Sequence, residues 1–183
     1  MANAKPSEGV MKKGELKLAL QSAGRIAGDN EFFLIGSQVV HAYCSRPPAE
    51  VLLSQECDLY PKHHPETAGM LEAKLGRGSP FARRHGFYVD VVTPELASLP
   101  IGWEHRLRPF RAGRVTALCL EVHDLVVSKL AAGRLKDLEF AGALFRLELA
   151  DPRRTRLRIR QFPIERERAK LRTRLQVVVD DLG

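Results

Sequence analysis

Apolar residues along this chain alternate between a spacing typical of helices and a spacing typical of strands. The first stretch, residues 12–27, spaces its leucines as in an amphipathic helix, and Gly28-Asp29-Asn30 ends it. The apolar run 32–35 then predicts a short buried strand. A tight turn at glycine leads into a helix predicted over residues 37–43, which ends before two consecutive prolines. Short strands and helices therefore follow each other from the start.

The middle of the chain predicts more strands, and the last third predicts helices. Strands are expected over residues 50–60, 87–92, 104–109 and 114–119, with a surface helix over 65–75 and a hairpin near 111–113. Helices are expected over residues 121–133 and 134–149, from Asp151-Pro152, and along an apolar face of Ile164, Leu171, Leu175 and Val178. The alternation at 156–160 would equally suit a strand. We predict an α/β (α+β) fold, a mixed sheet flanked by helices with a helical C-terminal part.

Three segments are expected from this order: a flexible arm (1–10), a core (11–120) and a helical part packed on the core (121–183). Hydrophobic residues make up 44% and charged residues 28%, which is ordinary for a globular protein. No apolar run approaches the roughly 20 residues of a membrane-spanning helix. The first ten residues lack an apolar signal core, so we expect a cytoplasmic protein without a membrane partner. Its three widely spaced cysteines fit free thiols.

Positive charge is concentrated near the C-terminus. The formal net charge is +7, and residues 152–174 carry ten basic residues against two acidic ones, so the remainder is close to neutral. These basic residues are Arg153, Arg154, Arg156, Arg158, Arg160, Arg166, Arg168, Lys170, Arg172 and Arg174. Such a concentration is typical of proteins that bind a polyanion, with RNA the natural candidate. The alternative is an arginine-rich helix face in contact with solvent.

Two carboxylates and a glycine-serine turn form the main candidate site. Side chains alternate between the faces of a strand, so Glu56 and Asp58 point the same way. Two close negative charges repel each other, and a hard cation such as Mg²⁺ neutralises them. Gly36 allows a ligand to approach the backbone, while the first amides of the next helix and the Ser37 hydroxyl are suited to a phosphate. The sequence therefore predicts a nucleotide site.

Lys129 is the unusual residue of the helix predicted over 121–133. At 100° per residue it falls within the apolar stripe beside Leu125 and Val126. A buried ammonium requires an anion, and a nucleotide phosphate would provide one. The alternatives are a lysine that extends to the rim or one that pairs with Glu56, Asp58 or Asp90 for stability.

The order Gly36-Ser37, then Glu56-x-Asp58, then Asp90 on a later strand resembles the nucleotidyltransferase superfamily of the DNA polymerase beta type. From Lys13 to Arg146 the chain is similar to small bacterial nucleotidyltransferase-like proteins related to abortive-infection toxins. The segments that carry this similarity are Leu34-Ile35-Gly36-Ser37-Gln38, Glu56-Cys57-Asp58-Leu59-Tyr60, Tyr88-Val89-Asp90-Val91-Val92, Leu99-Pro100-Ile101-Gly102-Trp103-Glu104 and the run from Asp124 to Asp137.

The resemblance implies a minimal nucleotidyltransferase sheet and a role for each of these residues. Glu56, Asp58 and Asp90 would hold Mg²⁺ or Mn²⁺, and Asp90 would also act as a base. The nucleoside triphosphate would be bound by Gly36, Ser37 and Lys129, with Arg134, Lys136 and Asp137 near the same end and Asp137 orienting Lys129 or Arg134. In the toxin relatives the acceptor is RNA, with tRNA one candidate here, or protein. An antitoxin is a further expected partner.

The competing hypothesis is an inactive nucleotide- or RNA-binding module of the same fold, or an antitoxin-like protein. It is favoured by Glu56, because the first metal ligand of this superfamily is more often aspartate, and by the long interval between Gly36 and Glu56. A zinc site built from Cys57, His63 and His64 is disfavoured, because adjacent histidines rarely share one metal and no fourth ligand is suitably spaced.

Overall fold

The computed structural model describes residues 10–52 and 54–182. The expected flexible arm lies outside the described residues except for Val10, which packs against the hydrophobic core. The described chain has a five-stranded mixed sheet flanked by helices, followed by a helical C-terminal part. The predicted fold class is therefore confirmed, whereas the division into segments stays a prediction.

The strands form the sheet in the order β3-β2-β1-β5-β4. Their bounds are β1 (Glu31–Leu34), β2 (Glu56–Pro61), β3 (Tyr88–Val91), β4 (Arg108–Ala112) and β5 (Val115–Cys119). The central strand β1 runs parallel to β5 and antiparallel to β2. At one edge β2 and β3 are parallel, and at the other β4 and β5 form a hairpin whose two-residue turn places Gly113 at a positive φ of 64°. Glycine suits this turn because a Cβ would be strained there.

Seven α-helices surround this sheet in the described part of the chain. They are α1 (Lys13–Ala27), α2 (Ala68–Leu75), α3 (Pro80–His85), α4 (Val122–Ala132), α5 (Leu135–Arg146), α6 (Pro152–Arg160) and α7 (Glu165–Asp180). Helix α1 packs on α2, β4 and β5, whereas α4 contacts α5, α6 and α7. Leu125, Val126 and Val127 of α4 are all fully buried, which makes α4 the central helix of the C-terminal part.

Two predictions near the candidate site need correction. The helix predicted over 37–43 is a six-residue 3-10 helix, Ser37–Ala42. Short buried connections often adopt this tighter helix, and five of its residues are buried. The strand predicted over 50–60 begins only at Glu56, because Ala49–Val51 forms another 3-10 turn. The Ser54 hydroxyl then accepts a hydrogen bond from the Glu56 amide at 3.1 Å, a local turn that delays the strand.

Other predicted boundaries shifted in the second half. Residues Trp103–Arg106 form a 3-10 turn instead of the start of a strand, because the Arg106 side chain turns toward α4. The sequence reading missed the short helix α3, whose cap is Ser79. Helix α6 confirms the helical alternative at Asp151-Pro152, with the Asp151 carboxylate accepting from two helix amides. In α7 the apolar face is Leu171, Leu175 and Val178, whereas Ile164 is exposed.

A search of the described residues for transmembrane segments found no helix with the length and apolar character needed to span a bilayer.

Candidate active site

The three predicted acids lie on two adjacent parallel strands. Strand register pairs Asp58 of β2 directly with Asp90 of β3, and Glu56 with Tyr88. Glu56 and Asp58 are partly exposed on one face, whereas the alternate residues of β2, Cys57 and Leu59, are fully buried on the other. The predicted sharing of one face by Glu56 and Asp58 is therefore confirmed, and Asp90 lies beside them.

Gly36 makes room for one of these carboxylates. It follows β1, and its φ of −88° is open to any residue, so the need for glycine is spatial. A Cβ at Gly36 would lie 1.5 Å from Asp58 Oδ2, which no side chain can accommodate. The sequence suggested that Gly36 allows a ligand to approach the backbone. In the structure the Asp58 carboxylate fills the space beside Gly36, and any larger residue would displace it.

The carboxylates of this edge carry charge that the protein leaves largely uncompensated. Burial, followed by the charge of Glu56, raises the pKa of Asp58 to about 6. The same two causes raise the pKa of Asp90 above its ordinary value. Across the described residues, none of the three acids has a lysine or arginine within ion-pair distance. The contact of Glu56 is instead with the Tyr88 hydroxyl, which donates to Oε2 at 3.0 Å.

A cationic cluster faces these acids from the junction of α4 and α5. Lys129 Nζ lies 3.4 Å from Asp137 Oδ1, and Arg134 donates to the same carboxylate at 2.6 and 3.2 Å. The Lys129 side chain is 19% exposed and Asp137 is 2% exposed. Burial alone would raise the pKa of Asp137, but the Arg134 hydrogen bond and the Lys129 charge hold it below its ordinary value. Asp137 therefore positions both cations, as the sequence suggested.

Acids and cations line two adjoining cavities, which we call the larger and the smaller arm of the site because they share lining residues. The larger arm has a volume of about 390 Å³ and the smaller one about 100 Å³. The arms share Glu56, Lys129, Arg134 and Lys136. The larger arm adds Ile35, Gly36, Asp58, Asp90, Val92, Leu96, Ala97, Ser98, Ser128, Ala131 and Ala132, and the smaller arm adds Ser37, Ser54, Asp137 and Phe140. Each of the nine predicted site residues thus lines one or both of these adjoining arms.

The donor set of this cavity fits a hard divalent cation. Its potential ligands are carboxylate oxygens, which Mg²⁺ and Mn²⁺ prefer, and their charge is not neutralised by nearby lysine or arginine contacts. Within residues 10–52 and 54–182, however, no three histidine, cysteine, aspartate or glutamate side chains are grouped closely enough to hold a metal ion. The carboxylates meet in one cavity without sharing a preformed coordination sphere.

Several residues of the cavity had no signal in the sequence. Segment Pro94–Ala97 forms one rim, followed by Ser98 at a positive φ of 52°. The hydroxyl of Ser128, on α4, donates to the Ala97 carbonyl and ties this rim to the helix that carries Lys129. Tyr88 was recognised only as a strand residue, although its hydroxyl contacts Glu56. These contacts form between residues that are distant in sequence. They also involve polar atoms that belong to no recognisable motif.

The histidines considered for a zinc site have other contacts. The His63 ring lies 3.0 Å from Glu31 Oε2, and the His64 ring lies 3.0 Å from Glu66 Oε1. Cys57 is fully buried, and that burial raises its thiol pKa well above the ordinary value.

The basic C-terminal segment divides into two groups. Arg158 Nε lies 3.3 Å from Asp124 Oδ1, Arg168 donates to the Phe162 carbonyl at 2.8 Å, and Arg174 donates to the Leu130 and Ala131 carbonyls at 2.5 and 2.9 Å. These three arginines are only partly exposed and contact other groups of the protein. The exposed basic residues are Arg153, Arg154, Arg156, Arg160, Arg166, Lys170 and Arg172. The segment predicted as one RNA surface is therefore partly structural.

Comparison with protein families matches residues 57–143 to a family described as nucleotidyltransferase of unknown function (DUF6036). The match covers a little under half of the chain and includes Asp58, Asp90 and Lys129, but it begins after Gly36, Ser37 and Glu56. Searches of curated proteins and of solved structures found no match. The family match supports a nucleotidyltransferase-like protein with a nucleotide substrate.

Proposed function

We propose that this protein is a metal-dependent nucleotidyltransferase that moves a nucleotidyl group from a nucleoside triphosphate to an acceptor hydroxyl. The observation that carries the proposal is the meeting of Glu56, Asp58 and Asp90 with Lys129 around one cavity. A row of uncompensated carboxylates opposite a cationic cluster is suited to a metal-bound triphosphate. The family match over residues 57–143 supports the same class of reaction.

The smaller arm is suited to the departing phosphates. It places Ser37 and Ser54 among Lys129, Arg134 and Lys136, and its volume of about 100 Å³ is too small for a nucleoside. Lysine and arginine hydrogen bonds to phosphate are charge-assisted and therefore strong. Because Asp137 already fixes Lys129 and Arg134, these cations would bind phosphate with little further loss of side-chain freedom.

Glu56 lies where the two arms join, so we place the α-phosphate there. Glu56, Asp58 and Asp90 would hold divalent cations, which stabilise the charge on the attacking and leaving oxygens of phosphoryl transfer when bound. The acceptor oxygen forms a bond to the α-phosphorus, and the bond from that phosphorus to the bridging oxygen of pyrophosphate breaks. The Asp90 carboxylate takes the hydroxyl proton, consistent with a pKa raised above its ordinary value.

RNA, with tRNA one candidate, is the acceptor that the charge distribution favours. Seven exposed basic residues on α6 and α7 offer contacts for a polyanion. Membership of the DNA polymerase beta-type superfamily, a role as a toxin, and an antitoxin partner are parts of the same proposal. They rest on the sequence resemblance. A protein hydroxyl is the other acceptor class.

A second candidate function is nucleotide binding without turnover. It is favoured by the finding that the described residues contain no preformed group of three metal-ligating side chains. The presence of Glu56, where the superfamily that the sequence resembles more often has aspartate, also favours this alternative. In this alternative the cavity binds nucleotide through Lys129, Arg134 and Lys136, and no label is transferred.

Label transfer separates the two candidates. The protein is incubated with Mg²⁺ or Mn²⁺, each α-labelled nucleoside triphosphate in turn, and either total RNA or total protein. We expect label on one acceptor class, and transfer at least about 100-fold slower with Asp58→Asn or Asp90→Asn, since loss even of residues that only support metal ligands costs 10–100-fold. The control Asp180→Asn makes the same change at an exposed residue that contacts Gln176. Equal transfer by all four proteins would refute the assignment of the acids.

A further inference from the structure

The larger arm of the cavity has an apolar wall that the transfer chemistry does not use. It is formed by Val92, Leu96, Ala97, Ala131 and Ala132. Leu96 is 76% exposed, the highest value among the large hydrophobic residues that the structure describes. Single exposed leucines are common on protein surfaces. This leucine, however, lines a charged cavity together with four other apolar residues.

The position of this wall relative to α4 is fixed. Pro94–Ala97 forms a 3-10 turn, and Ser98, at a φ of 52°, adopts a conformation that costs energy for a residue with a Cβ. The Ser128 hydroxyl holds the Ala97 carbonyl, and Ala131 and Ala132 continue the wall on the same helix. Leu96 is therefore presented on a segment tied to the helix that carries Lys129.

The two arms together accept a ligand with two different ends. Charged Lys129, Arg134 and Lys136 line both arms, whereas Leu96 and Ala97 line the larger arm alone. A nucleoside triphosphate has such ends, a polyanionic tail and an apolar base face. If the tail occupies the smaller arm, the covalently attached base must lie in the larger one.

We infer that Leu96, with Ala97 and the two alanines of α4, forms the surface on which the nucleobase packs, and that Leu96 sets much of the affinity for the nucleoside part of the substrate. This inference rests on the proposed function. The short side chains of the alanines that line the same arm leave room for a planar ring. Apolar contact grows with buried area, so purines bind more tightly than pyrimidines.

Paired ligands test the inference. The affinities of α,β-methylene-ATP, which cannot transfer its nucleotidyl group, and of inorganic tripolyphosphate are measured by calorimetry with Mg²⁺ present. In Leu96→Ala we expect binding of α,β-methylene-ATP to weaken roughly 5- to 10-fold and binding of tripolyphosphate to stay unchanged. Ile101→Ala is the matched control, because Ile101 is 63% exposed nearby on the chain but does not line the cavity. It should change neither affinity.

Each other outcome has one meaning. If Leu96→Ala binds α,β-methylene-ATP as the parent does, or if it weakens both ligands equally, the inference about the base is overturned and the proposed function remains. If the parent does not bind tripolyphosphate, or if Lys129→Ala binds it as tightly as the parent, the phosphate assignment fails and the proposed function fails with it. Tighter binding of pyrimidine than of purine analogues would overturn the purine preference.

Discussion

Carboxylates in the cavity and in the helical C-terminal part differ in whether arginine side chains contact them. In the helical part Asp124 is fully buried and receives two hydrogen bonds from Arg106, at 2.8 and 3.0 Å, while Arg158 lies 3.3 Å away. Burial raises the pKa of Asp124 as well, but the Arg106 hydrogen bond and the charges of both arginines oppose that rise. In the cavity Asp58 has no such partner among the described residues, and its pKa is raised to about 6. Removal of a carboxylate that pairs with arginines leaves their charges unpaired, whereas a carboxylate without such partners costs stability unless a ligand neutralises it. The difference distinguishes carboxylates whose charge is paired within the fold from carboxylates whose charge is available to a substrate.

The same contrast applies to the basic residues. Arg174 donates to the last carbonyls of α4, and its guanidinium lies so close to Gly133 that a Cβ there would be 2.1 Å from it. Arg172, two residues earlier, is exposed. Counting arginines in the sequence therefore overestimates the surface available to RNA. Contact with an opposite charge or a helix end should therefore separate the two kinds of residue when each is substituted.

The largest change in stability is expected at Asp124. Asp124→Asn leaves the partly exposed guanidinium groups of Arg106 and Arg158 against a buried neutral side chain, so we expect a loss of roughly 2–3 kcal/mol in the free energy of unfolding. Chemical denaturation measures it, with Asp180→Asn as the control that stays within about 0.5 kcal/mol of the parent. An Asp124→Asn protein as stable as the parent would remove the distinction between the two regions.

The same substitution in the cavity, aspartate to asparagine at Asp58, should raise the free energy of unfolding instead of lowering it. Asp58→Asn removes a largely desolvated negative charge that lies near Glu56 and Asp90, so without ligand the variant should be more stable than the parent by roughly 2 kcal/mol at pH 8. It should also lose nucleotidyl transfer. A destabilised Asp58→Asn protein would show that the carboxylate has a structural partner after all.

The gain in stability of the Asp58→Asn variant over the parent should depend on pH. The folded-state pKa of Asp58 is about 6 against an ordinary value of 3.8, so the folded protein binds this proton more tightly than the unfolded chain. The parent is therefore progressively destabilised by this group as the pH rises from about 4 to 6. The difference between variant and parent should be small at pH 4 and reach its maximum above pH 7. A difference independent of pH would contradict the assignment to Asp58.

A smaller effect is expected where an arginine caps a helix. Arg174→Met removes the donor to the Leu130 and Ala131 carbonyls at the end of α4, which should cost about 1–2 kcal/mol. Arg172→Met, an identical change at an exposed position, should stay within about 0.5 kcal/mol of the parent. Thermal unfolding of the two variants measures both values. Equal unfolding midpoints for the two variants would mean that Arg174 contributes no more to stability than an exposed arginine.

The exposed arginines should have the smallest effect on stability and a clear effect on RNA binding. Changing Arg153, Arg154, Arg166 and Arg172 together to Gln should leave unfolding within about 0.5 kcal/mol of the parent. For single-stranded RNA, the slope of log affinity against log salt should flatten by up to about 3, since each phosphate contact contributes about 0.7.

A control with equal loss of charge completes this RNA experiment. It carries glutamine at four exposed basic residues elsewhere, namely Lys17, Lys74, Arg84 and Arg111. This control should keep a slope close to that of the parent. The same flattening in both variants would mean that net charge, rather than the surface of α6 and α7, determines RNA binding.

The predictable parts of this structure follow from local periodicity. Alternation in β2 places Glu56 and Asp58 on one face, and the 100° spacing of α4 places Lys129 inside the apolar stripe. The sequence therefore located the cavity. It did not reveal what fills the space beside Gly36, because that depends on the packing of β1 against β2.

Contacts between distant elements explain the remaining errors. Arg106 and Asp124 are 18 residues apart, and Arg174 meets Leu130 across 44 residues. No local pattern reports such pairs, so the basic segment was read as a single surface. Leu96 was missed because an exposed leucine in a short turn carries no periodic signal. The sequence shows where charged residues lie along the chain. The packing of distant elements determines which of these charged side chains remain available to a ligand.

Binding of Mn²⁺ tests most directly the claim that the uncompensated carboxylates serve a metal-bound nucleotide. Free Mn²⁺ is followed by electron paramagnetic resonance as protein and α,β-methylene-ATP are added, for the parent, Asp58→Asn and the control Asp180→Asn. The account predicts a ternary complex with the parent and with Asp180→Asn, and affinity at least about 10-fold weaker with Asp58→Asn. Equal affinity of all three proteins for Mn²⁺ would contradict it.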